Sequence, residues 1–138
     1  MTIEALHQKF IHELPGEAAQ DRMSPRPKHV EGEEGIHQGH PIHSAVMLLL
    51  VPYQSDLAIP FIKRTNVGKY HGGQMALPGG KSEPEDGNSL NTALRECKEE
   101  IGVTPKEVTV IGKLSDVYIP LSNFNITPFV GTIPKIRE

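Results

Sequence analysis

Residues 44–53, SAVMLLLVPY, are apolar without alternation, and this run constrains the fold more than any other stretch of the chain. A strand with one wet face alternates apolar and polar residues. A continuous run reads instead as a strand buried on both faces. The most apolar part, 45–51, is far too short to span a bilayer. Residues 1–10 carry Glu4 and Lys9, so they do not form a secretory signal. At 138 residues the chain has enough length for one domain and too little for two.

Elements follow from the flanking pattern. Thr2 caps an expected first helix with Ile3, Leu6, Phe10 and Leu14 on one face, stopped at Pro15-Gly16. Residues 16–41 are rich in Pro, Gly, His and charge and read as a connector, so 1–43 is set apart from a domain over 44–138. After the long strand, Gln54-Ser55-Asp56 is a turn into a second strand over 57–64, LAIPFIKR, in which Pro60 calls for an edge or a bulge. A Gly-rich stretch covers 65–84, and a loop of that length in a small domain is usually functional. The spacing predicts a helix from 88 or 89 to 101, with Leu90, Ala93, Leu94, Cys97 and Ile101 as its apolar face and Gly102 as its stop. Strand-like segments follow at 108–114, 116–119 and 125–133.

Composition narrows the function. With 14 Lys+Arg against 17 Asp+Glu, the net charge of −3 gives no general attraction to nucleic acid or to an anionic membrane. A phosphate-bearing ligand would need local cations or a metal. The single cysteine excludes an internal disulfide framework and points to a reducing cytoplasm.

The chemistry concentrates on the 88–101 helix. Within 95–103, RECKEEIGV, Glu96 stands three residues from Glu99 and four from Glu100, so all three carboxylates project from one side. Like charges at this spacing cost roughly 0.2–0.5 kcal/mol per pair. They also sit in the half of the helix where the macrodipole disfavours anions. A Glu-rich helix is most often a solvated face, but a hard divalent cation removes the conflict by taking carboxylate oxygens as ligands. The glycines of 77–81, LPGGK, let backbone approach a ligand closely, and the Gly80 carbonyl offers one more oxygen. His37, His40 and His43 invite a zinc reading, but Gly39 and Pro41 interrupt any helix there and no cysteine is near.

Residues 79–103, GGKSEPEDGNSLNTALRECKEEIGV, resemble the Nudix box, commonly written G-x5-E-x7-R-E-U-x-E-E-x-G-U with U apolar and opening here at Gly80. Arg95-Glu96, Glu99-Glu100 and Gly102-Val103 match every specified position of its second half. In the first half the acidic residue is Asp86, with five residues between Gly80 and it and eight rather than seven between it and Arg95. That longer spacing, and the upstream stretch 60–80 (PFIKRTNVGKYHGGQMALPGG), resemble the coenzyme A pyrophosphatase-like branch. Arg64, Lys69, Gly73 and Pro78-Gly79-Gly80 fall at its spacing.

The resemblance implies an α/β (α+β) fold, a Nudix-type α-β-α sandwich around a mixed sheet. It further implies a chain that lacks the usual C-terminal strand and helix, leaving an apolar sheet face bare or covered by a second copy in a homodimer. It implies an Mg²⁺- or Mn²⁺-dependent hydrolase of a small nucleoside diphosphate derivative, with Glu96 and Glu100 as principal ligands and Gly80 lending its carbonyl. Glu99 is then a further ligand or the base that activates water. Arg95 orients the glutamates, and Lys63, Arg64, Lys69, His71, Gly79 and Gly80 face substrate. Coenzyme A or an acyl-coenzyme A is the expected substrate, with ADP-ribose or NADH, or a binding module without turnover, as alternatives. Asp116 is a candidate for one more ligand.

Overall fold

A computed structural model of the chain describes residues 2–22, 39–65, 73–120 and 122–134. The long apolar run becomes β1, Ile42–Tyr53, two residues longer at its start than the run itself. It turns through Gln54-Ser55 into β2, Asp56–Ala58, as the expected hairpin, with Val51 opposite Ala58. β8, Phe124–Thr132, lies parallel to β1 from Ile42↔Phe124 to Leu50↔Thr132. The other edge of β1 takes β2 near its end and β5, Gly79–Lys81, antiparallel near its start. β6, Thr109–Lys113, and β7, Val117–Ile119, pair antiparallel with β8. The result is a mixed six-stranded sheet with β1 in its interior, which is why the run reads as apolar on both faces.

The second strand divides. Around Pro60, which has no N–H to give a ladder, the chain leaves the main sheet. Ile62–Lys63 forms β3 and pairs instead with β4, Met75–Ala76, in a separate two-stranded ribbon.

Each face of the sheet has its own cover. α3, Ser89–Ile101, starts at Asn88, whose side chain accepts the Asn91 N–H, and ends at Gly102, where φ of 71° takes the left-handed cap that glycine adopts freely. Its Ala93 and Cys97 are fully buried against Ala45, Met47, Leu49 and Val51, with Leu90, Leu94 and Ile101 packed around them. The opposite face carries Leu48, Leu50, Ile111 and Val130. α1, Ile3–Lys9, covers part of it with Ile3 and Leu6, joined by Phe10 just past its end.

α1 stops earlier than the spacing suggests because Phe10 takes the cap and turns its ring onto the backbone of Gly112, where any Cβ would collide with it. A short second helix, α2, Gly16–Gln20, follows, and Gln20 donates to the carbonyls of Ser115 and Asp116. Between this N-terminal segment and the sheet lies an apolar cavity of about 580 Å³. Among the described residues no helix is long and apolar enough to cross a membrane.

Candidate active site

The polar side of α3 faces β5, and one residue organises it. The Arg95 guanidinium grips Asp86 at two points, from Nε at 2.9 Å and Nη2 at 3.1 Å. It also donates from Nη1 to Glu96 at 2.9 Å and to Glu99 at 3.3 Å, and from Nη2 to the Lys81 carbonyl at 3.0 Å. Planar, forked donors suit this multiple grip, which an ammonium cannot reproduce. Arg95 thus bridges Asp86 to Glu96 and Glu99.

Asp86 is the anchor beneath it. The residue is 9% exposed. It ends a 3₁₀ turn, Pro84–Asp86, and accepts the Glu83 N–H and the Thr92 hydroxyl, both at 2.9 Å, while Asn91 Nδ2 reaches its carbonyl at 2.7 Å. Hydrogen bonds from Arg95 hold the Asp86 carboxyl well below the usual carboxylate range, outweighing the opposing effect of burial, and Asp86 in turn raises the Arg95 guanidinium further. The extra residue before α3 is Gly87, whose φ of 71° lets the chain turn from this 3₁₀ segment into the Asn88 cap. The shifted acidic position is therefore an ion-pair partner of the box arginine. Thr92, fully buried, was not singled out by the sequence pattern, since a threonine mid-helix carries no signal until Asp86 is placed opposite it.

The metal-type residues lie just beyond this anchor. A Cβ on Gly80 would strike the Glu96 carboxylate, so that carboxylate rests directly against the β5 backbone. Glu100 Oε2 accepts the Gly79 N–H at 2.9 Å. Burial raises the Glu96 carboxyl; the bond and charge of Arg95 oppose this, and Glu100 and Glu99 add to it. Hard carboxylate and carbonyl oxygens crowded on two rigid elements are the donor chemistry that Mg²⁺ or Mn²⁺ takes. Among the described residues, though, no three His, Cys, Asp or Glu side chains are gathered as a metal gathers its ligands. Arg95 and the Gly79 amide hold the oxygens instead.

Other expected residues fall elsewhere. Arg64, exposed at the end of β3, exchanges backbone hydrogen bonds with Gln74 and Gly73. Lys63 lies in β3 opposite Met75. Lys69, His71 and His37 lie outside the described residues. Asp116 is committed to Lys113 at 3.1 Å. His43 sits in β1 opposite Asn125, and the backbone carbonyl of His40 accepts from Asn123 Nδ2. Cys97 is fully buried and its thiol is pushed up to about 12 by burial, in keeping with a core role.

Replacing Asp86 with Ala should cost about 2–4 kcal/mol of stability, because it leaves Arg95, Thr92 and the Glu83 N–H without their shared acceptor. The wild-type protein should show the matching pH dependence. A carboxyl depressed in the folded state stabilises fully above its unfolded value and loses that contribution as pH falls toward the folded one. In thermal melts from pH 7 down to pH 2 the gap between the two proteins should narrow steadily below the ordinary carboxylate range.

Comparisons with known proteins bear on the family and the fold. The family model of the NUDIX domain matches residues 41–128. An uncharacterized Nudix hydrolase, NudL, of Yersinia enterocolitica is 35% identical over 92 residues, 67% of this chain and 47% of that protein. The chain thus spans about half the length of the curated relatives it matches. Among solved structures, a binary complex of the C. elegans Ap4A hydrolase aligns with a TM-score of 0.58 at 13% identity, over 69% of this chain and 68% of that one. The NUDIX domain of Shewanella oneidensis NrtR, complexed with ADP ribose, aligns at 0.53 and 16% identity, over 87% and 71%. These structures are alike in fold.

Proposed function

The chain belongs to the Nudix family, and on that footing we propose that it hydrolyses the diphosphate linkage of a nucleoside diphosphate derivative. The substrate we assign is coenzyme A or an acyl-coenzyme A, cleaved to the phosphopantetheine portion and adenosine 3′,5′-bisphosphate. The observation that carries the hydrolase reading is the anchored set on α3: Arg95 locked on Asp86 and holding Glu96 and Glu99, with Glu100 on the Gly79 amide.

In this reading Glu96, Glu100 and the Gly80 carbonyl hold Mg²⁺ or Mn²⁺. When bound, such a cation neutralises phosphate charge, acidifies water and steadies the leaving oxygen. Glu99, exposed at the rim, is the further ligand or takes the proton from the attacking water. Arg95 acts through the glutamates, keeping two like charges aimed at one point. Gly79 and Gly80 admit a phosphate close to backbone. The setting we propose is the cytoplasm.

Support for coenzyme A comes from the 60–80 pattern, whose cations Arg64 and Lys69 suit its 3′-phosphate. Replacing Arg64 with Ala should raise KM for coenzyme A about tenfold, the worth of one charge-assisted contact. KM for dephospho-coenzyme A should stay within about twofold. The test of the whole assignment is a Mg²⁺-dependent hydrolysis panel of coenzyme A, dephospho-coenzyme A, ADP-ribose, NADH and diadenosine polyphosphates. Preference for coenzyme A supports the assignment. Preference for ADP-ribose keeps the helix-borne chemistry and removes the coenzyme A reading, and tight ligand binding without any turnover leaves a binding module.

A further inference from the structure

The acidic cluster draws its oxygens from two separate elements, the glutamates of α3 and the Gly80 backbone of β5, so the gap between these elements must be fixed. Near the end of α3 it is crossed by Glu100, which accepts the Gly79 N–H at 2.9 Å. In the middle Arg95 Nη2 donates to the Lys81 carbonyl at 3.0 Å. Near the start Thr92 meets Ser82, the residue just past β5, hydroxyl to hydroxyl at 3.1 Å. Glu100 and Arg95 belong to the charged cluster itself. Thr92 carries no charge and is fully buried.

Proton counting gives this buried hydroxyl a direction. Thr92 Oγ1 lies 2.9 Å from Asp86 Oδ2, 3.1 Å from Ser82 Oγ and 3.3 Å from the Asn88 carbonyl, yet a hydroxyl has one hydrogen to donate. The Asp86 carboxylate, paired with Arg95, can only accept, and it offers the shortest and the only charged contact. The Thr92 proton therefore goes to Asp86. Ser82 must then be the donor to Thr92. The result is a one-way chain from Ser82 through Thr92 to the same carboxylate that Arg95 grips. Ser82 is fastened to β1 in turn, since its N–H donates to the His43 carbonyl at 3.0 Å.

We propose that Thr92 and Ser82 are positioning residues, a hydroxyl pair that holds the end of β5 against α3 so that Gly80 and the glutamates present their oxygens to one cation. The inference rests on the hydrolase reading above and adds two residues that set the cation site without touching it. Valine has the shape of threonine but gives Asp86 no proton and Ser82 no acceptor, whereas serine keeps both.

Two readouts test this on the protein and its Thr92→Val, Thr92→Ser and Ser82→Ala variants: Mn²⁺ binding, followed by the paramagnetic resonance of the free ion, and coenzyme A hydrolysis with Mg²⁺. Thr92→Val should weaken Mn²⁺ binding about tenfold and lower kcat by a similar factor, with KM within about twofold. Thr92→Ser should stay within about twofold of wild type in both. Ser82 is exposed, so Ser82→Ala leaves the core intact, and it should weaken Mn²⁺ binding about threefold. Wild-type Mn²⁺ affinity in Ser82→Ala, or in a folded Thr92→Val even with a lowered melting temperature, overturns the positioning role and leaves the hydrolase reading standing. No Mn²⁺ binding by the wild type overturns both. Weakened Mn²⁺ binding in the variants of a protein that cleaves no diphosphate upholds the positioning role and removes the hydrolase reading instead.

Discussion

Glu100→Gln is expected to lower turnover about a thousandfold while leaving the fold intact. The folded state asks of Glu100 only that an oxygen accept the Gly79 N–H, and a glutamine carbonyl can do that. What glutamine cannot supply is the negative charge that holds a divalent cation against two phosphates, and removing one such stabilising group from a site costs orders of magnitude in rate. Circular dichroism and the melting temperature should therefore match wild type while kcat collapses. If turnover were retained, the carboxylates of α3 would be a solvated face after all. An unchanged affinity for nucleotide in the same variant is compatible with the loss of rate, since ligand contacts outside the cluster persist.

The second large effect separates two adjacent glycines that sequence alone treats alike. A Cβ on Gly80 would meet the far end of one flexible side chain, the Glu96 carboxylate, which can swing aside. Gly80→Ala should therefore fold with a loss of no more than about 1 kcal/mol. Its turnover should nevertheless fall about a hundredfold, because Glu96 is pushed off its place against β5. A Cβ on Gly79 would instead meet the Ala45 carbonyl and the Val46 backbone at 2.7 Å, neither of which can move without breaking the β1–β5 pairing. Gly79→Ala should cost about 3 kcal/mol. Urea melts and kcat on both variants distinguish a stability defect from a catalytic one.

Much of this was legible in the chain. α3 follows from its apolar spacing, its Asn88 cap and its Gly102 stop, all local signals, and the continuous run of β1 already implies an interior strand. The pairing of Glu96, Glu99 and Glu100 on one side follows from helical geometry. What required the structure was longer in range. The partner of Arg95 could not be assigned from a motif displaced by one residue; only the 3₁₀ turn and the left-handed Gly87 bring Asp86 under the guanidinium. The division of the second strand depends on where each half finds a ladder, which Pro60 hints at without deciding. Phe10 ends α1 through a contact with Gly112, some hundred residues away in the chain.

The measurement that bears most directly on the central claim is mass identification of the products formed from coenzyme A, with Mg²⁺ present and after chelation. Cation-dependent appearance of adenosine 3′,5′-bisphosphate together with 4′-phosphopantetheine, abolished by chelator and restored by added Mg²⁺, is the result expected. Failure of the folded protein to cleave any member of the diphosphate panel with Mg²⁺ or Mn²⁺, or cleavage indifferent to the chelator, would contradict it.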